Sequence, residues 1–229
     1  MKCKITFIDH SGYFVELDDC CLLFDYYKGE LPAFDKQKPL YVFVSHAHND
    51  HYQKKIFEFR KRYPFVTYIL SDDIQTKQSV YFMHANQIQK IGNLKIETFP
   101  SSDEGVGFLV EVHGKYIYHA GDLNWWHWQD ENSEEENKEA KQLFYHGIEN
   151  LKKRHIDIAF LVLDPRQEEQ FWYGMHAYMQ EMDIDYVFPM HMWKKYEIVE
   201  KMKRLTQSVG YRDKIMEVKE ENQQFTIEV

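Results

Sequence analysis

Three imidazoles and a carboxylate fall within six residues of the stretch Ser45-His46-Ala47-His48-Asn49-Asp50-His51. Grouped this closely they need a common partner, because protonated imidazoles repel one another and a desolvated carboxylate needs a countercharge. A divalent cation satisfies all of them at once, imidazole suiting zinc and carboxylate suiting harder ions. His46 and His48 are two residues apart, so an extended segment sends both the same way. Asp50 and His51, past a turn residue, can serve a second ion nearby. The competing reading is a histidine-rich loop that binds no metal.

The motif directly follows Leu40–Val44, a continuous apolar run of the kind expected in a strand covered on both faces. Ahead of it, residues 4–8 and 13–17 alternate polar and apolar, and 20–24 is a short apolar run; these predict strands, the alternating ones with one wet face. Ile56, Phe57 and Phe59 lie in a charged segment that reads as a helix. Residues 66–70 predict another strand, stopped by Ser71-Asp72-Asp73. Residues 94–99, 107–112 and 115–119 predict three successive strands, with His113-Gly114 as a tight turn. The charged run 130–141 leads into a helical face of Ala140, Leu143, Phe144, Ile148 and Leu151, so its charges read as the solvated side of that helix. Residues 156–163 and 186–190 predict buried strands, Trp193, Tyr196, Val199 and Met202 recur at helical spacing, and 214–218 and 224–229 predict two closing strands. No repeat or linker marks a boundary, so the expectation is one domain over residues 1–229. Two β-rich halves with helices outside point to an α+β fold, a four-layered αββα sandwich.

With 229 residues and 44% hydrophobic content, the chain can bury a sizeable core and is not a disordered protein. Its 28 Lys+Arg against 37 Asp+Glu give a net charge of −9, which argues against a protein that grips nucleic-acid phosphates. Three cysteines, Cys3, Cys20 and Cys21, make a poor disulfide framework and read as reduced thiols. Met1-Lys2-Cys3-Lys4-Ile5 lacks the apolar run of a signal peptide, and no stretch approaches the roughly 18 apolar residues of a membrane span. A cytoplasmic location without membrane attachment is the expectation.

The Ser45–His51 stretch is similar to the HxHxDH signature of the metallo-β-lactamase fold superfamily. The resemblance implies that His46 and His48 help bind one metal, and Asp50 and His51 the other. It further implies that Asp122, in the strand ending His119-Ala120-Gly121-Asp122, bridges both ions, and that His191, after residues 186–190, completes the second site. The histidine that the superfamily normally carries before a Gly and a strand is missing from Pro100-Ser101-Ser102-Asp103-Glu104-Gly105; Asp103 is the expected substitute, ahead of Ser102 or Glu104. The implied cofactors are two divalent metal ions, zinc first and manganese as the alternative.

Other residues carry weaker readings. Asp25, ending an early strand, reads either as support for a metal ligand or as a turn residue. Arg166 follows a buried strand and could hold an anionic group, although a surface ion pair is the commoner fate. His119 could contact substrate or support the metals. Trp125, Trp126 and Trp128 could wall the site or pack in the core, and His176 reads as structural.

The resemblance extends to the smaller bacterial hydrolases of that fold, including ascorbate-phosphate lactonase-like enzymes. It implies a binuclear hydrolase whose metal-bridging hydroxide cleaves an ester, lactone or phosphoester of a small molecule, which could be anionic. Asp50 would accept a proton, and His191 or His119 would help protonate the leaving group. The alternatives are a nucleic-acid phosphodiesterase of the same fold, against the net charge, and a metal-binding member without catalysis. The sequence leaves the substrate and the oligomeric state open.

Overall fold

The computed structural model describes residues 1–229. Thirteen strands run in chain order: β1 Lys2–Asp9, β2 Gly12–Glu16, β3 Cys21–Phe24, β4 Leu40–Val44, β5 Val66–Ser71, β6 Tyr81–Met83, β7 Ile88–Ile91, β8 Leu94–Pro100, β9 Val106–Val112, β10 Lys115–His119, β11 His155–Val162, β12 Asp183–Met190 and β13 Gln224–Glu228. Three α-helices accompany them: α1 Glu134–Gly147, α2 Tyr173–Glu181 and α3 Glu197–Arg204. None is long and apolar enough to cross a membrane. The chain divides into two compact units, Met1–His84 with Glu220–Val229, and Ala85–Lys219.

The first unit is a seven-stranded sheet in the order β13-β1-β2-β3-β4-β5-β6. Every residue of β4 is buried, and β3 and β5 flank it in parallel, so its unbroken apolar sequence has neighbours on both sides. The expected wet face holds only for the first half of β1; four of the five residues of β2 are buried. The anticipated helix around Ile56 is a 3₁₀ helix, Lys54–Lys61, and the i, i+3 pair Ile56 and Phe59 shares its buried side. Both pack with Leu23, Val42 and Tyr68 in the core of this unit.

The second unit is a six-stranded sheet in the order β12-β11-β10-β9-β8-β7, antiparallel from β7 to β10 and parallel from β10 to β12. His113 and Gly114 both have positive φ, as a two-residue hairpin between β9 and β10 requires. Helix α1 opens on a capping box, in which the Ser133 side chain accepts from the Glu136 N–H and the Glu136 carboxylate accepts from the Ser133 N–H. Two expectations change. Residues 214–218 do not form a strand: a 3₁₀ turn at Arg212–Lys214 leads to Ile215, which makes only an isolated bridge to Val187. Trp193 lies ahead of α3 in a left-handed conformation rather than within a helix.

Asp157 on β11 is a buried charge with two donors, the Lys115 ammonium at 3.0 Å and the Tyr116 N–H at 2.8 Å. Burial pushes its pKa up, but the Tyr116 and Lys115 hydrogen bonds outweigh that and hold it below the ordinary value. A depressed folded pKa contributes stability that is present above the unfolded value, near ~3.9, and is lost as pH falls through the folded one. Asp157→Asn should therefore cost about 2 kcal/mol at neutral pH. Urea midpoints of variant and parent should converge below about pH 4; a gap that does not narrow would contradict the charge assignment.

Candidate metal centre

In the first unit β3 and β4 run parallel with Phe24 opposite Phe43, so the residues just beyond their ends are neighbours. Asp25 occupies that position, fully buried and left-handed at φ 42°. It accepts the Ser45 N–H at 2.7 Å, the Ser45 hydroxyl at 2.6 Å and His51 Nδ1–H at 2.8 Å. An ionised carboxylate only accepts, so His51 carries its proton on Nδ1 and Nε2 is its basic nitrogen. The Ser45 hydroxyl spends its one hydrogen on Asp25, so at 2.9 Å it accepts from His46 Nδ1, which makes Nε2 the basic nitrogen of His46 as well. One carboxylate thereby fixes the tautomer of two histidines, the arrangement that prepares imidazoles for a metal. The His46 ring lies 4.1 Å from that of His51 and 4.7 Å from that of the exposed His48.

Asp50 is partly exposed, and its Oδ2 lies 3.2 Å from His10 Nε2. Burial raises its pKa, but the His10 hydrogen bond and the nearby His51 ring pull it well below the usual carboxylate range. Sequence reasoning misses His10, which is one histidine in the hairpin turn Asp9-His10-Ser11-Gly12. It is buried, left-handed at φ 52°, and edge-on to His51 with centroids 5.4 Å apart.

The second unit repeats the device. Strands β11 and β12 are parallel, and the Leu163 N–H donates to the Met190 carbonyl, which makes the next residues, Asp164 and His191, neighbours. Asp164 is fully buried and accepts from His191 Nδ1 at 2.8 Å, Arg166 Nε at 2.9 Å and Trp193 Nε1 at 3.3 Å. Its burial opposes ionisation, but the His191 and Arg166 hydrogen bonds hold its pKa down at about 2. The Arg166 guanidinium is thus committed to Asp164, and it lies over the Trp193 ring at 4.6 Å. Nε2 is left as the basic nitrogen of His191, and it lies 3.5 Å from Asp122 Oδ1. Two lone-pair carriers facing each other at that distance call for a cation or a proton between them.

Asp122 follows β10 through Gly121, left-handed at φ 55°. The Gly121 N–H donates to His119 Nδ1 at 3.1 Å, so the buried His119, packed on Phe160, shapes the turn that presents Asp122. Asp103 is exposed, its own N–H donating to Ser101 Oγ, and it joins no cluster of donors. Its neighbour Ser102 instead ties down the next loop, donating to the Asn124 carbonyl at 2.6 Å and accepting from the Asn124 N–H at 2.9 Å. His176, on α2, pairs with the Tyr211 hydroxyl at 2.8 Å.

The tryptophan run divides. Trp125 packs on Tyr173, Tyr145 and the buried Phe144. Trp126 stacks on Trp128 with rings 3° from parallel, donates to the Asp122 carbonyl at 2.9 Å, and lies 5.6 Å from the His191 ring. Trp125→Ala should accordingly cost about 3 kcal/mol in a urea melt. Trp126→Ala should cost less, because that ring stacks on Trp128 beside His191; equal losses of stability in both variants would mean that the two rings pack alike.

The description "Beta-lactamase superfamily domain" belongs to a family model that matches residues 4–140. The chain belongs to the metallo-β-lactamase superfamily. The matched stretch carries His46, His48, Asp50, His51 and Asp122, while Asp164 and His191 lie beyond it. Over 139 residues the chain is 28% identical to a UPF0173 metal-dependent hydrolase of Alkaliphilus metalliredigens (strain QYMF), covering 52% of this chain and 62% of that relative. The match thus spans about three fifths of the relative's length. Among solved structures, Igni18, a metallo hydrolase from Ignicoccus hospitalis KIN4/I, superposes with a TM-score of 0.68 at 20% identity over 100% of both chains. CmlA, a diiron β-hydroxylase from Streptomyces venezuelae, superposes at 0.64 and 10% identity, over 99% of this chain and 54% of its own. These likenesses bear out the α+β sandwich fold of the superfamily, with two mixed sheets and flanking helices.

Proposed function

We propose that this superfamily member is a metal-dependent hydrolase acting on an ester, lactone or phosphoester of a small molecule. The observation that carries the reading is the paired use of a buried carboxylate at a strand end, Asp25 for His46 and His51, and Asp164 for His191, each leaving Nε2 as the basic nitrogen. The donor set fits divalent ions: imidazole nitrogens and carboxylate oxygens suit zinc, with manganese as the harder alternative. His46, His48, Asp50 and His51 in the first unit, and Asp122 and His191 in the second, are the proposed metal ligands, and the exposed Asp103 is left out of the set. The metal-dependent hydrolase relatives support the same reading.

Divalent ions supply an activated water at neutral pH and take up negative charge that develops on the substrate. The chain's own part is to hold the imidazoles in one tautomer and to accept a proton at the Asp50 carboxylate. Trp126, beside His191, gives an apolar surface for the substrate. The net charge of −9 stands against a nucleic-acid substrate.

Elemental analysis of purified protein should find close to two divalent ions per chain. Chelation should abolish turnover in a screen of phosphodiesters and lactones and lower the melting temperature, because an ion bound only by the folded state stabilises it. An unchanged melt together with no metal would sink the proposal. Cleavage of DNA or RNA with no action on small esters would keep the metal chemistry and replace the substrate.

A further inference from the structure

We infer that His10 is a further metal ligand, a third protein donor to the ion proposed for Asp50 and His51; the inference rests on the metal-dependent reading above. One donor atom each from His10, Asp50 and His51 lie within 4.8 Å of one another. With ligand bonds of about 2.1 Å, two donors on one ion are at most ~4.2 Å apart, so a small relaxation brings all three onto one cation. One pair, His10 Nε2 and Asp50 Oδ2 at 3.2 Å, already has the spacing of adjacent positions around such an ion.

The local backbone supports the assignment. The β1–β2 ladder shifts register between Phe7 and Asp9, and His10 follows this irregularity in a left-handed conformation that favours glycine. A strained, buried imidazole is a costly way to turn a hairpin, and such strain gathers where a side chain must be placed. Asp25, which holds His51, shares the left-handed conformation. A hydrogen bond to Asp50 alone could come from many side chains; an imidazole edge-on to a second imidazole and beside a carboxylate has the composition of a metal site.

The test compares His10→Ala and His10→Gln with the parent protein. Glutamine keeps an N–H for Asp50 but is a poor substitute for an imidazole donor. Competition with a chromophoric chelator should show Zn²⁺ held at least about tenfold more weakly by both variants, the scale on which the loss of even supporting residues is felt. X-ray absorption of the zinc-loaded parent should give a higher imidazole count than His10→Gln. That measurement on the parent also stands if the alanine variant does not fold. Unchanged affinity in both variants, or a loss in His10→Ala that His10→Gln restores, would overturn the inference and leave His10 as a hydrogen-bond donor that positions Asp50. A parent protein that binds no zinc, or a His51→Ala variant that binds as much as the parent, would instead overturn the metal-dependent reading itself.

Discussion

Asp50→Asn is expected to lower turnover by about 10²–10⁴-fold, the range over which a positioned proton acceptor contributes. The amide keeps the size of the carboxylate, so the lesion is confined to charge and basicity. Asp50 is partly exposed, so the cost in stability should stay below about 1 kcal/mol. Steady-state kinetics on the best small substrate, with metal content measured on the same sample, separate the two consequences of losing the charge. A fall in kcat with metal retained marks proton transfer, whereas a fall that tracks lost metal marks ligation alone. Turnover within about threefold of the parent would remove Asp50 from the mechanism.

Asp25→Ala should produce the largest loss of stability among the site residues, about 3–5 kcal/mol. The carboxylate is the acceptor for the Ser45 N–H, the Ser45 hydroxyl and His51 Nδ1–H, all in a buried environment. Alanine leaves three desolvated donors without that acceptor. An asparagine at this position would tolerate the left-handed backbone and keep one oxygen, so Asp25→Asn should fall between alanine and the parent in urea melts. Both variants should also bind metal about 10–100-fold more weakly, since the His46 and His51 tautomers are no longer fixed. If Asp25→Ala melts like the parent, the hydrogen-bond network does not organise the site.

The residues that could be read from sequence were those whose signal is local. An all-apolar run of five residues gave β4 at its observed bounds, and the His46–His51 cluster lay directly after it. The partnerships that give the donors their tautomers are not local. Asp25 meets Ser45 because β3 is hydrogen-bonded to β4, and Asp164 meets His191 because β11 is hydrogen-bonded to β12; strand order appears nowhere in a linear pattern. Arg166 looked like an anion-binding group for the same reason, since its partner two residues away shows only once Asp164 is seen to be buried. His10 escaped notice because a single histidine in a hairpin turn has no periodicity to set it apart. Strands β6 and β7 are short and mostly exposed edge elements, so they lack the hydrophobic pattern that marks a core strand.

The two compact units carry different natural reporters. All three cysteines, Cys3, Cys20 and Cys21, are buried in the first unit, and burial, with the nearby Glu16 carboxylate, pushes the Cys21 thiol up to about 12. All five tryptophans, at 125, 126, 128, 172 and 193, belong to the second. Thiol trapping by a disulfide reagent therefore follows the opening of one unit, and indole fluorescence follows the other, with no label or mutation needed. Superimposed transitions from the two signals would mark a single cooperative folding unit, and separated ones would give each unit its own stability. Repeating both traces with and without added zinc would then show whether an ion steadies either half of the chain.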